Sequence, residues 1–190
     1  MKAEEKIYKT FFESKESKLY YNQIREYTKL SHSSLQNALK KLKKANIITE
    51  EKTKSNTFYK IKDKKLIALK FSELAIKRFQ ELNIGIRVPL NNFLKGLPKT
   101  IHTIILFGSA SRKQERKESD IDLLVVSEKP LNLDNNKKNA EVISNHHLSI
   151  FQCKINDFLQ NKDHIIIQAK KTGFPIYKEQ NFYEVILDVY

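Results

Sequence analysis

Two aspartates separated by one residue, Asp120 and Asp122, stand at the start of the apolar run 120-DIDLLVV-126. In an extended strand, side chains two residues apart project from the same face, so both carboxylates point the same way while Ile121 points into the core. Two carboxylates on one face repel each other, and burying either one unpaired costs free energy. A divalent cation removes this repulsion, and hard cations such as Mg²⁺ prefer carboxylate and phosphate oxygens. The pair therefore predicts a site for Mg²⁺ or Mn²⁺ at Asp120 and Asp122.

A Gly-Ser pair, Gly108 and Ser109, ends the preceding apolar run, 101-IHTIILF-107. Glycine lets the backbone approach a ligand closely, and a helix that begins at Ser109 would offer free amides and a hydroxyl to a phosphate. Arg112 follows, and its position fits either a triphosphate contact or a solvated surface. A phosphate-binding turn beside a metal-binding Asp-x-Asp has the parts that nucleotidyl transfer requires.

The stretch 107-FGSASRKQERKESDIDLLVV-126 resembles the polymerase β-type nucleotidyltransferase superfamily, and most closely its minimal branch in archaea and bacteria. The resemblance implies that Asp120 and Asp122 bind the metals and carry the catalysis. It also implies that Gly108 and Ser109 hold the triphosphate of a nucleoside triphosphate (NTP).

Two positions depart from the pattern of that family. Lys113 stands where glycine is common. The later strand, 147-HLSIFQCKI-155, contains no acid, although active members often have a third carboxylate there, at a position that falls near Ser149. Asp157 and Glu141 are the alternatives for that role, and the activation of an attacking hydroxyl depends on which residue, if any, fills it.

The net charge of +13 belongs to the first half of the chain. Residues 1–62 carry 15 Lys and Arg against 7 Asp and Glu, residues 63–99 carry 8 against 3, and residues 100–190 carry 12 against 12. A basic part joined to a neutral part predicts two tasks, with a polyanion as the partner of the first.

Apolar residues at helical spacing predict three helices before residue 46, the third with Ser31 or Ser33 as its N-cap and Asn46 as its stop. The pattern then becomes extended, and the polar segment 50-EEKTKSN-56 separates two strands of a ribbon. The run 23–61 resembles the winged helix-turn-helix regulators of bacteria and archaea.

That resemblance implies that Ser31–Ala45 is a recognition helix for the major groove of double-stranded DNA, and that the protein binds as a homodimer. Short hydroxyls, an amide and lysines suit contacts with base edges and phosphates. The expected DNA-binding residues are Ser33, Ser34, Asn37, Lys40 and Lys41 on the helix and Lys52, Lys54 and Lys60 on the ribbon.

Together these patterns predict an α+β chain of three parts. Residues 1–62 form the winged helix-turn-helix domain. Residues 63–99 form a helical connector that packs between the domains or forms a dimer seam. Residues 100–190 form a nucleotidyltransferase domain, a mixed β-sheet flanked by helices. The single cysteine, Cys153, excludes an intramolecular disulfide, and no apolar stretch is long enough to span a membrane, so we expect a cytoplasmic protein without a membrane partner.

The resulting hypothesis is a DNA-binding regulator whose transferase domain moves NMP from a Mg-NTP to an acceptor hydroxyl, as in minimal nucleotidyltransferases that act as antitoxins on a toxin protein. One alternative is a transcriptional regulator whose degenerate transferase domain senses nucleotide or dimerises. A second alternative is an RNA-modifying nucleotidyltransferase whose basic module binds RNA.

Overall fold

The computed structural model describes residues 2–14, 16, 18–116 and 119–188, without the side chains of Glu13 and Asp188. Lys117, where the polar segment after the Gly-Ser pair was expected to end, lies outside the described residues. The chain forms two compact units. The first runs to Phe71 and takes in the residues from Ile186 onward, and the second is Ser72–Val185.

The first unit contains three helices and a small antiparallel sheet with the strand order β1-β3-β2. Its elements, in chain order, are α1 (Ala3–Ser14), β1 (Lys18–Tyr20), α2 (Tyr21–Thr28), α3 (His32–Lys44), β2 (Ile48–Lys52) and β3 (Thr57–Ile61). The predicted order of three helices and a two-stranded ribbon is confirmed at this level, with β1 as an additional strand.

Local sequence sets the limits of α3. The Ser31 hydroxyl accepts a hydrogen bond from the backbone N–H of Ser34 at 3.3 Å, so Ser31 is the N-cap. Asn46 adopts a φ of 57°, in the left-handed region that asparagine tolerates, and the helix ends before it. The apolar face of the helix is buried and consists of Leu35, Ala38, Leu39 and Leu42.

The strand β1 is absent from the predicted elements, which contain only helices before residue 46. In the structure Leu19 pairs with Tyr59 of β3 and is fully buried. A three-residue strand gives one apolar residue between two polar ones, which is too short a pattern to distinguish an extended segment from a helix.

The helix α4 (Lys64–Gln80) contains the residue at which the two units divide. In the rest of the chain, helices alternate with the strands of a second sheet. The elements are α5 (Ile84–Phe93), β4 (Ile101–Phe107), α6 (Gly108–Ser111), β5 (Ile121–Ser127), α7 (Asp134–Glu141), β6 (Leu148–Lys154), α8 (Ile155–Gln160), α9 (His164–Thr172), β7 (Phe174–Tyr177) and α10 (Glu179–Asp188). The domain boundaries after residues 62 and 99 stay predictions.

The sheet of the second unit has the order β6-β5-β4-β7. It is mixed, because β5 and β6 are parallel whereas β4 is antiparallel to both β5 and β7. The central strands β4 and β5 are almost entirely buried, which explains their nearly continuous apolar sequences. Pro175 lies in the edge strand β7, where a missing backbone N–H is tolerated. The predicted mixed sheet with flanking helices is therefore present.

The helix α5 begins at Ile84, four residues before the Val88-Pro89 pair. Pro89 consequently lies inside the helix, where it cannot donate a hydrogen bond to the carbonyl of Gly85. Ile86, Leu90 and Phe93 are buried at helical spacing, and this packing favours the longer helix. Within the part of the chain that the structure describes, the helices are all too short or too polar to cross a membrane.

Gly173 gives a stability test of the packing between α9 and β4. A Cβ at this position would lie 2.6 Å from the carbonyl oxygen of Ala169 and 2.7 Å from that of Leu106, and neither backbone atom can easily retreat. We expect Gly173→Ala to lower the free energy of unfolding by about 1–3 kcal/mol, measured by urea denaturation with circular dichroism. The control is Gly85→Ala, which meets nothing within 4 Å inside α5 and should raise stability by up to about 1 kcal/mol. Equal effects of the two changes would contradict this prediction.

Candidate functional site

Antiparallel pairing brings the two predicted motifs to one end of the sheet. Phe107, the last residue of β4, pairs with Asp122 of β5. Gly108 and Ser109 follow Phe107 directly, so the Gly-Ser turn lies beside the Asp-x-Asp pair. The ten residues between the motifs connect the two paired strands, and this pairing places Gly108 beside Asp122.

Gly108 lies in close contact with the side chain of Asp122 at this end of the sheet. Its φ is 71°, which is the left-handed region that favours glycine. A Cβ at Gly108 would overlap Oδ2 of Asp122 and would lie 3.0 Å from the Cγ atom of the same carboxylate. Only glycine therefore satisfies both the conformation and the close approach of Asp122.

Asp122 is partly buried, whereas Asp120 is exposed. Burial raises the pKa of the Asp122 carboxyl above its usual value, and the negative charge of Asp120 raises this pKa further, while the positive charge of Arg112 lowers it. The ionised pair is thus energetically unfavourable within the protein alone. A divalent cation would relieve both causes, so the donor set fits Mg²⁺ or Mn²⁺.

Ser149 occupies the position where a third carboxylate was sought. The parallel pairing of β5 with β6 puts Ser149 opposite Asp122, on the same face of the sheet. The Ser149 hydroxyl donates a hydrogen bond to Oδ2 of Asp120 at 2.9 Å. The site therefore has two carboxylates and a neutral hydroxyl that orients one of them.

Neither of the alternative acids joins this cluster. Asp157 lies in α8, which follows the end of β6 opposite to Ser149, and it pairs with Lys162 at 2.9 Å. Glu141 accepts a hydrogen bond from the backbone N–H of Leu148 at 2.8 Å. Among the described residues, no group of three His, Cys, Asp or Glu side chains is arranged to hold a metal ion.

The turn after Gly108 carries the other predicted nucleotide contacts. Ser109 is partly exposed in α6, and its carbonyl accepts a hydrogen bond from the backbone N–H of Gln114 at 3.0 Å. Arg112 is exposed, and its Nε donates to the Gln114 side chain at 3.1 Å. Lys113 has a φ of 57°, so the position needs a left-handed backbone, which explains the preference for glycine there.

Sequence reasoning missed two residues that hold this turn in place. The Ser111 hydroxyl is buried and lies 3.0 Å from the carbonyl oxygen of Gly108 and 3.2 Å from that of Thr172. Arg78 of α4 donates from Nη2 to the Ser111 carbonyl at 3.2 Å, with its guanidinium 4.2 Å from the ring centroid of Phe174. Burial lowers the pKa of Arg78. Arg78 follows Lys77 in the last turn of α4, so the sequence contained no signal that distinguished it from a surface cation.

A second set of predicted residues lies on the first unit. On α3, the exposed residues are Ser33, Asn37, Lys40 and Lys41, and Ser34 is partly exposed. Lys41 pairs with Glu4 at 3.3 Å.

The ribbon separates its predicted lysines onto two faces. Lys52 pairs across the ribbon with Thr57, whereas Lys60 pairs with Thr49, so their side chains project from opposite faces. Lys54 lies at the exposed tip. The eight predicted DNA contacts therefore do not form one continuous surface.

The raised pKa of Asp122 gives a test based on stability. The contribution of Asp122 to the free energy of unfolding is fully present below the ordinary pKa of an aspartate. It is lost as the pH rises through the higher pKa of the folded state, because the ionised carboxylate is the unfavourable form. We expect Asp122→Asn to melt at a higher temperature than the wild type at pH 7, and this difference to shrink toward pH 4. Differential scanning fluorimetry across pH measures the effect.

The matched control for this measurement is Glu128→Gln. Glu128 is an exposed carboxylate that directly follows the other end of β5. Its replacement should change stability by less than about 0.5 kcal/mol at pH 7. A lower melting temperature for Asp122→Asn than for the wild type at pH 7 would show that the ionised carboxylate stabilises the fold.

Comparison with known protein families gives one result for this chain. A search of curated proteins finds no match. The family model described as "Polymerase beta, Nucleotidyltransferase" matches residues 89–182, a span that includes both motifs and all four strands of the mixed sheet. The C-terminal part of the chain is thus supported as a nucleotidyltransferase domain of the polymerase beta type.

Proposed function

We propose that the C-terminal domain transfers NMP from a Mg²⁺- or Mn²⁺-bound NTP to an acceptor hydroxyl, and that the N-terminal unit binds double-stranded DNA. The observation that carries the transferase proposal is the convergence of Gly108-Ser109 with Asp120 and Asp122 at one end of the sheet. This convergence occurs within the segment that matches the nucleotidyltransferase family.

Each residue of the site has a separate task in this proposal. Asp120 and Asp122 would hold the metal, and Gly108 and Ser109 would hold the triphosphate. Arg112 contributes a positive charge near the phosphates. When bound, the metal neutralises charge on the phosphate oxygens. The acceptor hydroxyl loses its proton to solvent, its oxygen forms a bond to the α-phosphorus, the bond between the α-phosphorus and the bridging oxygen breaks, and pyrophosphate leaves.

A second candidate function is nucleotide binding without transfer, in a regulator. The observation that favours it is Ser149, because a hydroxyl that already donates to Asp120 is a far weaker base than a carboxylate. In this case the C-terminal domain binds NTP through the same metal and phosphate contacts, and the binding of NTP changes the affinity of the N-terminal unit for DNA.

For the N-terminal unit we propose a winged helix-turn-helix that acts in the cytoplasm as a homodimer. Its support is the cationic surface of α3 and the ribbon, together with the net charge of residues 1–62. The proposed acceptor is a protein, of which a toxin is one case.

Transfer is tested with purified protein, each α-³²P-labelled NTP, Mg²⁺ or Mn²⁺, and cell extract as a source of acceptors. We expect label on an acceptor with the wild type and a loss of at least about 100-fold with Asp120→Asn/Asp122→Asn, because the metal loses both carboxylates. The control is Asp157→Asn, at the far end of β6, which should retain transfer within about twofold.

The same variants test the separation of the two tasks. Asp120→Asn/Asp122→Asn should bind duplex DNA as tightly as the wild type. A loss of duplex binding in this variant would contradict the assignment of DNA binding to the first unit, and a preference for structured RNA over duplex DNA would favour an RNA-modifying enzyme.

Ser149 decides between transfer and sensing. We expect Ser149→Asp to increase the rate of transfer by about 100-fold if deprotonation of the acceptor limits the wild type, since a positioned general base contributes about 10²–10⁴-fold. Ser149→Ala is the control that removes the hydrogen bond to Asp120 without adding a charge. Mn²⁺ binding by electron paramagnetic resonance gives a readout independent of turnover. Tighter Mn²⁺ binding by Ser149→Asp without faster transfer would favour the sensing function.

A further inference from the structure

The first unit contains a groove of about 620 Å³ between α3 and the β2–β3 ribbon. On the helix side it is lined by residues from His32 to Lys43, which at 1.5 Å per residue gives a length of about 16 Å. On the ribbon side it is lined by the face that carries Glu50 and Lys52. The groove therefore extends along α3, and its two walls come from elements of the first unit.

The charges in the groove are arranged around one carboxylate. Lys40, Lys43 and Lys52 line it, and Glu50 is the acid among its lining residues. Glu50 forms an ion pair with Lys43 through Oε2 and lies 3.4 Å from the Nζ atom of Lys52 through Oε1. The Glu50 side chain is 17% exposed, against 75% for Lys52. Two of the three lysines that line the groove thus pair with one largely buried carboxylate.

Strand register explains why this carboxylate, and not its neighbour, faces the groove. Glu50 pairs with Tyr59, and both line the groove, whereas Glu51 pairs with Phe58 on the opposite face. Glu51 forms its own ion pair with Lys60 at 2.6 Å, away from α3. The two adjacent glutamates therefore carry the same charge and both pair with lysine, but only Glu50 faces the groove.

We propose that this groove binds the sugar–phosphate backbone of a nucleic-acid strand, and that Glu50 is an internal counter-anion that limits the binding. This inference rests on the proposed DNA binding of the first unit. Lysine ammonium groups are point charges that suit phosphate oxygens, and a strand presents these oxygens in a row along the length of the groove. Glu50 neutralises Lys43 and Lys52 in the free protein, and it repels a phosphate that contacts them.

The length of the groove favours a nucleic-acid strand over an isolated anion, because it accommodates more than one phosphate. At one end of the groove lies Tyr21, which is partly exposed. The Tyr21 hydroxyl lies 2.8 Å from Nδ1 of His32, which fixes the wall beside it. Lys40 lies both in this groove and on the helix face that was predicted to read DNA.

The test compares Glu50→Gln with Glu51→Gln in the full-length protein. Fluorescence anisotropy with a labelled duplex of about 20 base pairs, at several salt concentrations, gives the affinity and its salt dependence. We expect Glu50→Gln to bind about 3–10-fold more tightly than the wild type and to show a steeper dependence of log K on log[salt], by about 1–2, as Lys43 and Lys52 engage phosphates. Glu51→Gln removes the same charge from the other face and should change affinity by less than about twofold.

Several outcomes separate this inference from the proposed function. If the wild type and both variants fail to bind duplex or single-stranded DNA, the proposed DNA binding is wrong. If the wild type binds DNA but Glu50→Gln binds no more tightly than Glu51→Gln, DNA binding stands and the role of the groove is overturned. Tighter binding of polyglutamate than of DNA by Glu50→Gln would also overturn it, in favour of an acidic peptide.

A footprint on the wild type keeps the inference testable if Glu50→Gln does not fold. Amine acetylation followed by mass spectrometry compares lysines with and without the duplex. We expect the duplex to protect Lys43 and Lys52. Lys60, which the sequence pattern predicted as a DNA contact, lies on the opposite face of the ribbon and should react equally in both samples. Protection of Lys60 without protection of Lys43 would place the nucleic acid on the other face and contradict the proposal.

Discussion

The antiparallel pairing of β4 with β5 is the constraint on which the candidate site depends. It sets Phe107 opposite Asp122, and therefore Gly108 against the Asp122 carboxylate, in a contact that leaves no room for a Cβ. A shift of one residue in this register would turn Asp122 into the core and Ile121 toward the ligand. The apolar residues of both strands oppose such a shift, because the core face of each strand is fully buried. Core packing thus fixes the position of a carboxylate whose own environment is unfavourable.

The turn that follows β4 depends on contacts from outside the motif. The Ser111 side chain reaches the carbonyls of Gly108 and Thr172, and Arg78 donates to the Ser111 carbonyl. Gly173 allows the end of α9 to approach the backbone of β4. These residues bind no ligand in the proposed mechanism, but they hold the four-residue helix that presents Ser109. A site made from two strand ends is therefore supported by α4 and α9, which lie far from it in sequence.

Much of this arrangement follows from the sequence because the signals are local. The strands β4 and β5 are apolar runs with clear limits, the cap of α3 is a serine followed by a helical stripe, and the Asp-x-Asp spacing assigns both carboxylates to one face. The contacts that escaped prediction depend on pairing between separate segments. The hydrogen bond from Ser149 to Asp120 requires the parallel register of β5 and β6, and β1 exists because Leu19 packs against Tyr59. Periodicity within a segment contains no information about which partner residue lies opposite.

In each unit, strand register determines which residue faces the charged site: Ser149 in the second unit and Glu50 in the first. In the second unit, the strand position beside Asp120 and Asp122 carries a neutral hydroxyl, so the pair gains neither a third negative charge nor a further base. In the first unit, the ribbon position beside three lysines carries a carboxylate, so the groove has less positive charge than its lysines alone would provide. Strand parity makes each effect specific, since the neighbouring residue in either strand projects from the other face. A change at either position alters the chemistry of its site without altering the apolar face that holds the strand, and this is why single substitutions there separate function from folding.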